Sequence, residues 1–269
     1  MENIDIYCVT NKKVSYLEDS FLKFGAVGND DFNERYIKCD SKDNIFNKEK
    51  YYSELTFQYW YWKNELKNSS FKWIGFCQRR RFWIKKNSVG EAINKENIKD
   101  HLLNEVPDGW KNYNAIVCEP ISVSKLKKIK ILKRGMKSFL KKPSILFNEK
   151  KRTLKLHFDM FHGHGNMDKA IDKMNDRDKN DFRNFMNNNN KYNPHIMFIS
   201  TPEITNSWFE SLFTWLFKCE DIFKFEDLKG YETERIYAYL SERYLSFWFN
   251  KYTKVLNWPW IIFDPEKED

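Results

Sequence analysis

Apolar and β-branched residues crowd positions 4–10, Ile-Asp-Ile-Tyr-Cys-Val-Thr, and stop at Asn11-Lys12-Lys13. That run predicts a first strand. Phe24 to Gly28 predicts a short second strand, and the polar stretch from Asn29 to Lys50 reads as mostly loop. From Tyr52 to Lys67 the period changes: Leu55, Tyr59 and Trp62 fall at spacings of four and three, the signature of a helix. Two compact apolar runs follow as strands, Trp73 to Cys77 and Ala115 to Cys118, the second preceded by the turn pair Asp108-Gly109. Met167 to Met186 reads as one helix, with Ile171, Met174, Phe182 and Phe185 along a face, and Asn187 to Asn190 as a polar loop. His195 to Ile199 predicts a buried strand, and Thr201-Pro202-Glu203 a helix start. Amphipathic helices are expected from about Ile204 to Cys219 and from Glu232 to Phe249. Strands alternating with helices imply an α/β sheet with helices packed on its faces.

Composition narrows this picture without choosing a function. The 269 residues are 41% hydrophobic and 17% aromatic, enough for a substantial core in one domain over 1–269, with an elaboration at about 124–150 and an acidic tail at 264–269. The net charge of +8 favours anionic partners: a nucleotide, nucleic acid or an anionic membrane surface. The five dispersed cysteines form no CxxC pair, which argues for a reducing compartment and against a structural zinc site. The first residues run directly into the strand pattern with no visible signal peptide, and no apolar run approaches the roughly 20 residues that span a bilayer. A cytoplasmic protein, with the inner membrane face as a further location, is the expectation. Only nine glycines occur, and neither GxGxxG nor GxxxxGK[ST] is present. A nucleotide would therefore be held by side chains more than by a glycine loop.

The candidate chemistry begins at Gln78-Arg79-Arg80-Arg81, directly after the Trp73–Cys77 run. Ligands of open α/β sheets collect outside the carboxyl ends of strands, and the guanidinium fork matches phosphate oxygens. A solvated basic turn is the plainer alternative. Arg80 and Arg81 are the residues we expect to stabilise a diphosphate. His157, His162 and His164 lie close in sequence. They read either as zinc or manganese ligands or as part of a helix-entry loop touching substrate. Candidate carboxylates for a general base are Asp40, Asp43, Glu54, Asp159 and Glu242. The segment Ser124 to Lys142 has no acidic residue and interleaves lysines with apolar side chains. It reads as a surface face, a nucleic-acid patch or an amphipathic segment on anionic lipid.

Several motifs occur in an order that resembles the bacterial polysaccharide-synthesis proteins grouped as domain of unknown function 4422, some of which are galactofuranosyltransferases. They are Asp43-Asn44-Ile45; Tyr51-Tyr52-Ser53-Glu54-Leu55-Thr56 with Tyr59-Trp60-x-Trp62-Lys63-Asn64; and Ile74-Gly75-x-x-Gln78-x-Arg80-Arg81-Phe82. Later come His164-x-Asn166, Met197-Phe198-Ile199, and Glu234-Arg235-Ile236-x-Ala238-Tyr239-Leu240-Ser241-Glu242-Arg243. The chain departs from that pattern at Asn11, Arg79 and His195, where such proteins usually carry histidine, tyrosine and asparagine. The resemblance implies a GT-A-like α/β sandwich, with a mixed, mostly parallel central sheet flanked by helices. It implies a nucleoside-diphosphate-sugar donor, UDP-galactofuranose among the candidates, and a glycan or lipid-linked glycan acceptor at the membrane. Transfer would be inverting if the donor is UDP-galactofuranose. On that likeness Thr10, Asn11, Gly25 and Gly28 border the nucleotide, and Asp43 and Asn44 lie near the sugar-phosphate. Tyr52, Glu54, Gln78, Arg80 and Arg81 line the donor pocket. His162, His164, Asn166 and Glu242 are expected on the acceptor side. Nucleic acid is not expected as a partner, no resident metal is assigned, and a manganese or magnesium requirement is left open. The rival class is a non-catalytic basic module that binds membrane or nucleic acid.

Overall fold

A computed structural model of the chain describes residues 3–124 and 152–267. The basic segment therefore lies outside the described residues, apart from Ser124. The described chain divides into two compact units, one of 1–119, 195–209 and 249–269, the other of 120–194 and 210–248.

The first unit is built on a nine-stranded mixed sheet. Strands β1 (Ile4–Thr10), β2 (Lys23–Ala26), β3 (Tyr36–Lys38) and β4 (Trp73–Gln78) run parallel in the order β3-β2-β1-β4. Beyond β4 the sheet continues through the antiparallel β9 (Phe198–Ser200), then β6 (Ala115–Cys118) and β10 (Val255–Trp258), which are parallel to each other. β5 (Arg81–Trp83) folds back on β4 and pairs with β11 (Trp260–Ile262). The expected mixed, mostly parallel sheet flanked by helices is present. β3 lies inside the stretch read as loop. β10, β5 and β11 are made from aromatic-rich sequence that did not alternate cleanly, because their pairing, rather than a one-sided burial pattern, defines them.

Register explains the two faces. Ile6, Gly75, Ile199 and Ile116 align across four strands, and a Cβ on Gly75 would come within 2.8 Å of the Ile199 side chain. The core on this face is completed by Trp73, Trp83, Trp110 and Trp258, all buried, with Trp110 edge-on to Trp258. The neighbouring row, Tyr7 beside Phe76 beside Phe198, faces the other way. There it meets helix α2 (Leu55–Asn64): Tyr7 packs on Tyr61 at 4.7 Å and on Phe57 at 5.7 Å between ring centroids.

Helix α2 departs from its expected form in two respects. Every residue from Leu55 to Tyr61 is buried, the polar Thr56 and Gln58 included, so it is a core helix rather than a one-sided amphipathic one. It is also separated from α1 (Glu49–Tyr52) by Ser53, whose φ of 54° and ψ of −129° break the helix that the sequence predicted as continuous from Tyr52. Short α3 (Ile98–His101) completes the named helices confined to this unit.

The second unit is helical, with a two-stranded ribbon of β7 (Ile121–Ser122) and β8 (Lys191–Tyr192). It contains α4 (Leu154–His162), α5 (Asn166–Asp172), α6 (Asp176–Asn188) and α8 (Tyr231–Glu234). The single helix expected from Met167 to Met186 is thus two, and the histidine segment read as a loop begins as helix α4. The long helices α7 (Pro202–Cys219) and α9 (Ile236–Tyr252) contribute residues to both units. Among the described residues no helix is long and apolar enough to cross a membrane.

Candidate functional site

The parallel strands β1, β2 and β4 end together, and the chain segments leaving them are tied by backbone bonds. Val27 N–H donates to Thr10 C=O at 2.9 Å, and Arg79 N–H donates to Val9 C=O at 3.1 Å. This edge brings Thr10, Asn11, Gly28 and the arginines of the β4–β5 turn into one region. Thr10 is buried, and its hydroxyl is engaged by the turn that follows, accepting from Lys12 N–H at 3.1 Å. Asn11 is exposed. Gly28 takes a left-handed φ of 78°, and a Cβ there would stand 3.9 Å from Asn11 Cβ and from the Glu49 carboxylate.

The turn itself is tight: Gln78 pairs with Arg81, leaving only Arg79 and Arg80 to reverse the chain. Arg80 accordingly adopts a left-handed φ of 69°, a conformation that a non-glycine residue holds only when its surroundings fix it. One such fixture is Phe263 N–H, which donates to Arg80 C=O at 2.9 Å. The residues after Phe263 do the rest. Arg80 Nη1 meets Asp264 Oδ2 at 3.2 Å, and Glu266 spans the pair of arginines, Oε1 to Arg79 Nη2 at 3.1 Å and Oε2 to Arg80 Nη2 at 3.6 Å. Arg79 and Arg80 meet these two carboxylates, and among the described residues no carboxylate pairs with the adjacent Arg81, so a positive excess remains. Two buried donors are also left over: among the described residues the Nε–H groups of Arg80 and Arg81 meet no acceptor. A buried donor without a partner carries a desolvation cost that an anion bound there would remove.

Arg81 has a different neighbour. His195, at a left-handed φ of 66°, packs edge-on against Trp260 at 4.7 Å between ring centroids. Burial, and then the Arg81 charge, push its imidazole down to about 3, so it stays neutral beside the guanidinium.

The remaining donor-side candidates are distributed along α1, α2 and their approach. Tyr52 is completely buried. Glu54 precedes α2 and is half-buried; among the described residues its carboxylate meets no hydrogen-bond or ion-pair partner. Asp43 is exposed and fastened to α2, accepting from Tyr59 O–H at 3.1 Å while its backbone exchanges hydrogen bonds with Asn64. Asn44 turns inward on its own loop, accepting from Phe46 N–H at 3.0 Å and donating to Lys42 C=O at 2.9 Å. The Asp43-Asn44 and Tyr59…Asn64 motifs, distant in sequence, are thus one stitched unit. Gly25 sits under α2: a Cβ there would lie 2.7 Å from atoms of the Phe57 ring, so its missing side chain is what lets the helix approach β2. Gln78 is buried at the end of β4.

His162, His164, Asn166 and Glu242 belong to the second unit, which forms its own polar cluster. The three histidines do not converge. His157 Nδ1 lies 3.2 Å from Arg243 Nη2, and His164 Nδ1 lies 3.6 Å from Asp159. His162 stacks on Tyr239 with 3.8 Å between ring centroids, and its Nδ1 is 2.9 Å from Glu232 C=O. Burial, and then the Arg243 charge, push His162 down to about 3. Asn166 donates to His162 C=O at 2.9 Å across the Gly163 turn. Glu242 pairs at 2.9 Å with Arg243, which is buried and covers the Tyr192 ring at 3.8 Å. Asp159 is held by Lys155 at 2.7 Å. Among the described residues no three His, Cys, Asp or Glu side chains gather as a metal-holding group.

The family model described as domain of unknown function (DUF4422) matches residues 5–254. The chain belongs to the DUF4422 family. Among solved structures it is similar to the WbbM bifunctional glycosyltransferase in its apo form, with a TM-score of 0.71 at 20% identity. The match covers 98% of this chain and 46% of that one, so this DUF4422 chain spans about half the length of its structural neighbour. At that identity the likeness establishes a shared fold. Curated protein sequences give no match.

The sequence missed two parts of this site. Asp264 and Glu266 fall in the stretch expected to be an acidic tail, yet Asp264 has a side chain only 9% exposed. The signal was present as an apolar run, Trp260 to Phe263, leading straight into Asp264, but only the β5–β11 pairing shows which cation it reaches. Arg79, set apart from its neighbours on sequence grounds, shares Glu266 with Arg80.

Proposed function

We propose that this DUF4422 protein is a glycosyltransferase that moves a sugar from a nucleoside-diphosphate sugar, a UDP-sugar in our reading, to a glycan acceptor. The observation that carries the proposal is the arginine turn. It puts a positive excess and two unaccepted, buried guanidinium N–H groups at the carboxyl-terminal edge of a sheet whose fold is shared with a glycosyltransferase. In the reaction we propose, the acceptor hydroxyl oxygen attacks the anomeric carbon. The bond from that carbon to the diphosphate oxygen breaks, and the diphosphate leaves with the bonding pair. Arg80 and Arg81 take up the charge developing on it. The hydroxyl proton passes to a carboxylate, and Glu54 is our assignment, on the strength of its half-buried, unpartnered carboxylate at the start of α2. A one-step displacement of this kind inverts the anomeric centre. Thr10, Asn11 and Gly28 border the nucleotide in this reading, and His164 and Glu242 serve the acceptor. UDP-galactofuranose is the donor we would test first, with a surface-polysaccharide or lipid-linked glycan as acceptor.

The test is a donor-turnover assay across UDP-sugars with Arg80→Ala and Arg81→Ala. Loss of one charge-assisted contact to the leaving group is expected to lower turnover roughly 100-fold in each variant. Undiminished turnover in both would remove the arginines from the reaction.

A further inference from the structure

The two carboxylates on the arginine turn differ in a way that suggests different tasks. Asp264 has a side chain only 9% exposed, and its Oδ2 lies on Arg80 Nη1 at 3.2 Å. It follows directly on Phe263, whose N–H is bonded to the Arg80 carbonyl, so chain and side chain together grip one residue. Glu266, by contrast, is 66% exposed. Its two oxygens bridge Arg79 and Arg80 at 3.1 and 3.6 Å, as two oxygens of one phosphate would. An exposed ion pair is weak and readily exchanged, whereas a buried carboxylate is costly to strip from its cation.

We propose that Asp264 is the fixed positioning residue for Arg80 and that Glu266 is a resident carboxylate ligand which the donor's diphosphate displaces. The proposal rests on the reading of Arg80 as a diphosphate ligand. It adds that the site is never an open cationic patch: it carries an internal anion that competes with weak anions and yields to a diphosphate. A diphosphate supplies more charge and more acceptor oxygens than the single carboxylate, including acceptors for the unpartnered Nε–H groups of Arg80 and Arg81. Donor affinity would then be set partly by how easily Glu266 lets go.

Titration of the full chain with UDP, and separately with inorganic pyrophosphate, by calorimetry tests this. Glu266→Gln keeps the size of the side chain and removes the competing charge. It is expected to bind UDP about two- to fivefold more tightly, the range set by an exposed ion pair. In turnover the gain should fall on KM with kcat little changed. Asp264→Asn is expected to act in the opposite direction and weaken UDP binding, because Arg80 loses its anchor. Its thermal unfolding is measured alongside; if it does not fold, the exposed Glu266→Gln still decides the matter. If Arg80→Ala loses UDP binding while Glu266→Gln leaves it unchanged or weaker, the displacement proposal fails and the donor-site reading survives. If Arg80→Ala binds UDP as well as wild type does, both fail. If Asp264→Asn tightens binding as much as Glu266→Gln does, the division of labour between the two carboxylates is wrong.

Discussion

At the scale of single residues, the chain places strained backbone where its motifs are densest. Arg80 and His195 both sit at positive φ, and both belong to the arginine turn or its contacts. Among the described residues the other two cases are Lys42, at φ 56°, and Ser53, at φ 54° and ψ −129°, a region that glycine alone occupies freely. The Ser53 N–H is held by Glu49 C=O at 2.7 Å, and its carbonyl accepts from Thr56 N–H at 3.1 Å. The surrounding bonds therefore impose the conformation, and the side chain resists it. Ser53→Gly is expected to raise stability by about 1 kcal/mol, seen as a modest rise in unfolding temperature. A fall of similar size would show that the Ser53 side chain stabilises the break. The sequence showed the motif Tyr52-Ser53-Glu54 but not the break inside it. Helical periodicity continues across a residue whose backbone has left the helix.

At the scale of elements, the approach of α2 to β2 is governed by one missing side chain. A Cβ on Gly25 would come within 2.7 Å of the Phe57 ring, which is itself fully buried. Gly25→Ala is expected to cost about 1–3 kcal/mol through overpacking. Combining it with Phe57→Leu should recover part of that loss, giving a clear interaction energy in a double-mutant cycle of unfolding free energies. Additive losses would mean that the helix simply shifts to accommodate the methyl group. Gly25 was legible in the sequence only as part of a glycine-containing strand end bordering a nucleotide. Its contact with Phe57, 32 positions on, depends on a tertiary approach that no local pattern encodes.

At the scale of the molecule, two buried neutral histidines, one in each unit, make stability depend on pH. His195 and His162 both titrate at about 3 in the fold, against an ordinary value near 6.5. Between those limits the unfolded chain binds more protons than the folded one, so stability rises with pH. Their contribution is complete above about pH 6.5 and is lost progressively as pH falls toward 3. Each adds a slope of at most about 1.4 kcal/mol per pH unit within that window. His195→Asn, which keeps a residue tolerant of left-handed backbone, is expected to flatten the acid side of the stability profile. Denaturant unfolding of wild type and variant from pH 7 to 4 measures this, and parallel profiles would exclude His195 as a contributor.

Much of this protein was fixed locally. The apolar runs at 4–10, 73–77 and 115–118 became strands because β-branched and aromatic residues flanked by turn chemistry have few alternatives. The start of α7 at Pro202 followed from a proline that suits the first helical turn. The arginine triplet after Cys77 was visible from its charge alone. What the sequence left open was how distant segments meet. The DUF4422 motifs at 43–44 and 59–64 are joined by hydrogen bonds between side chain and loop, and Arg81 meets His195 from another strand's approach. The acidic residues at 264 and 266 close on Arg79 and Arg80 across more than 180 positions. Ion pairs have no period and no preferred sequence separation; strand order and register decide which charges come within 4 Å of each other. The sequence thus supplied the cations of the site, and the tertiary structure supplied their partners.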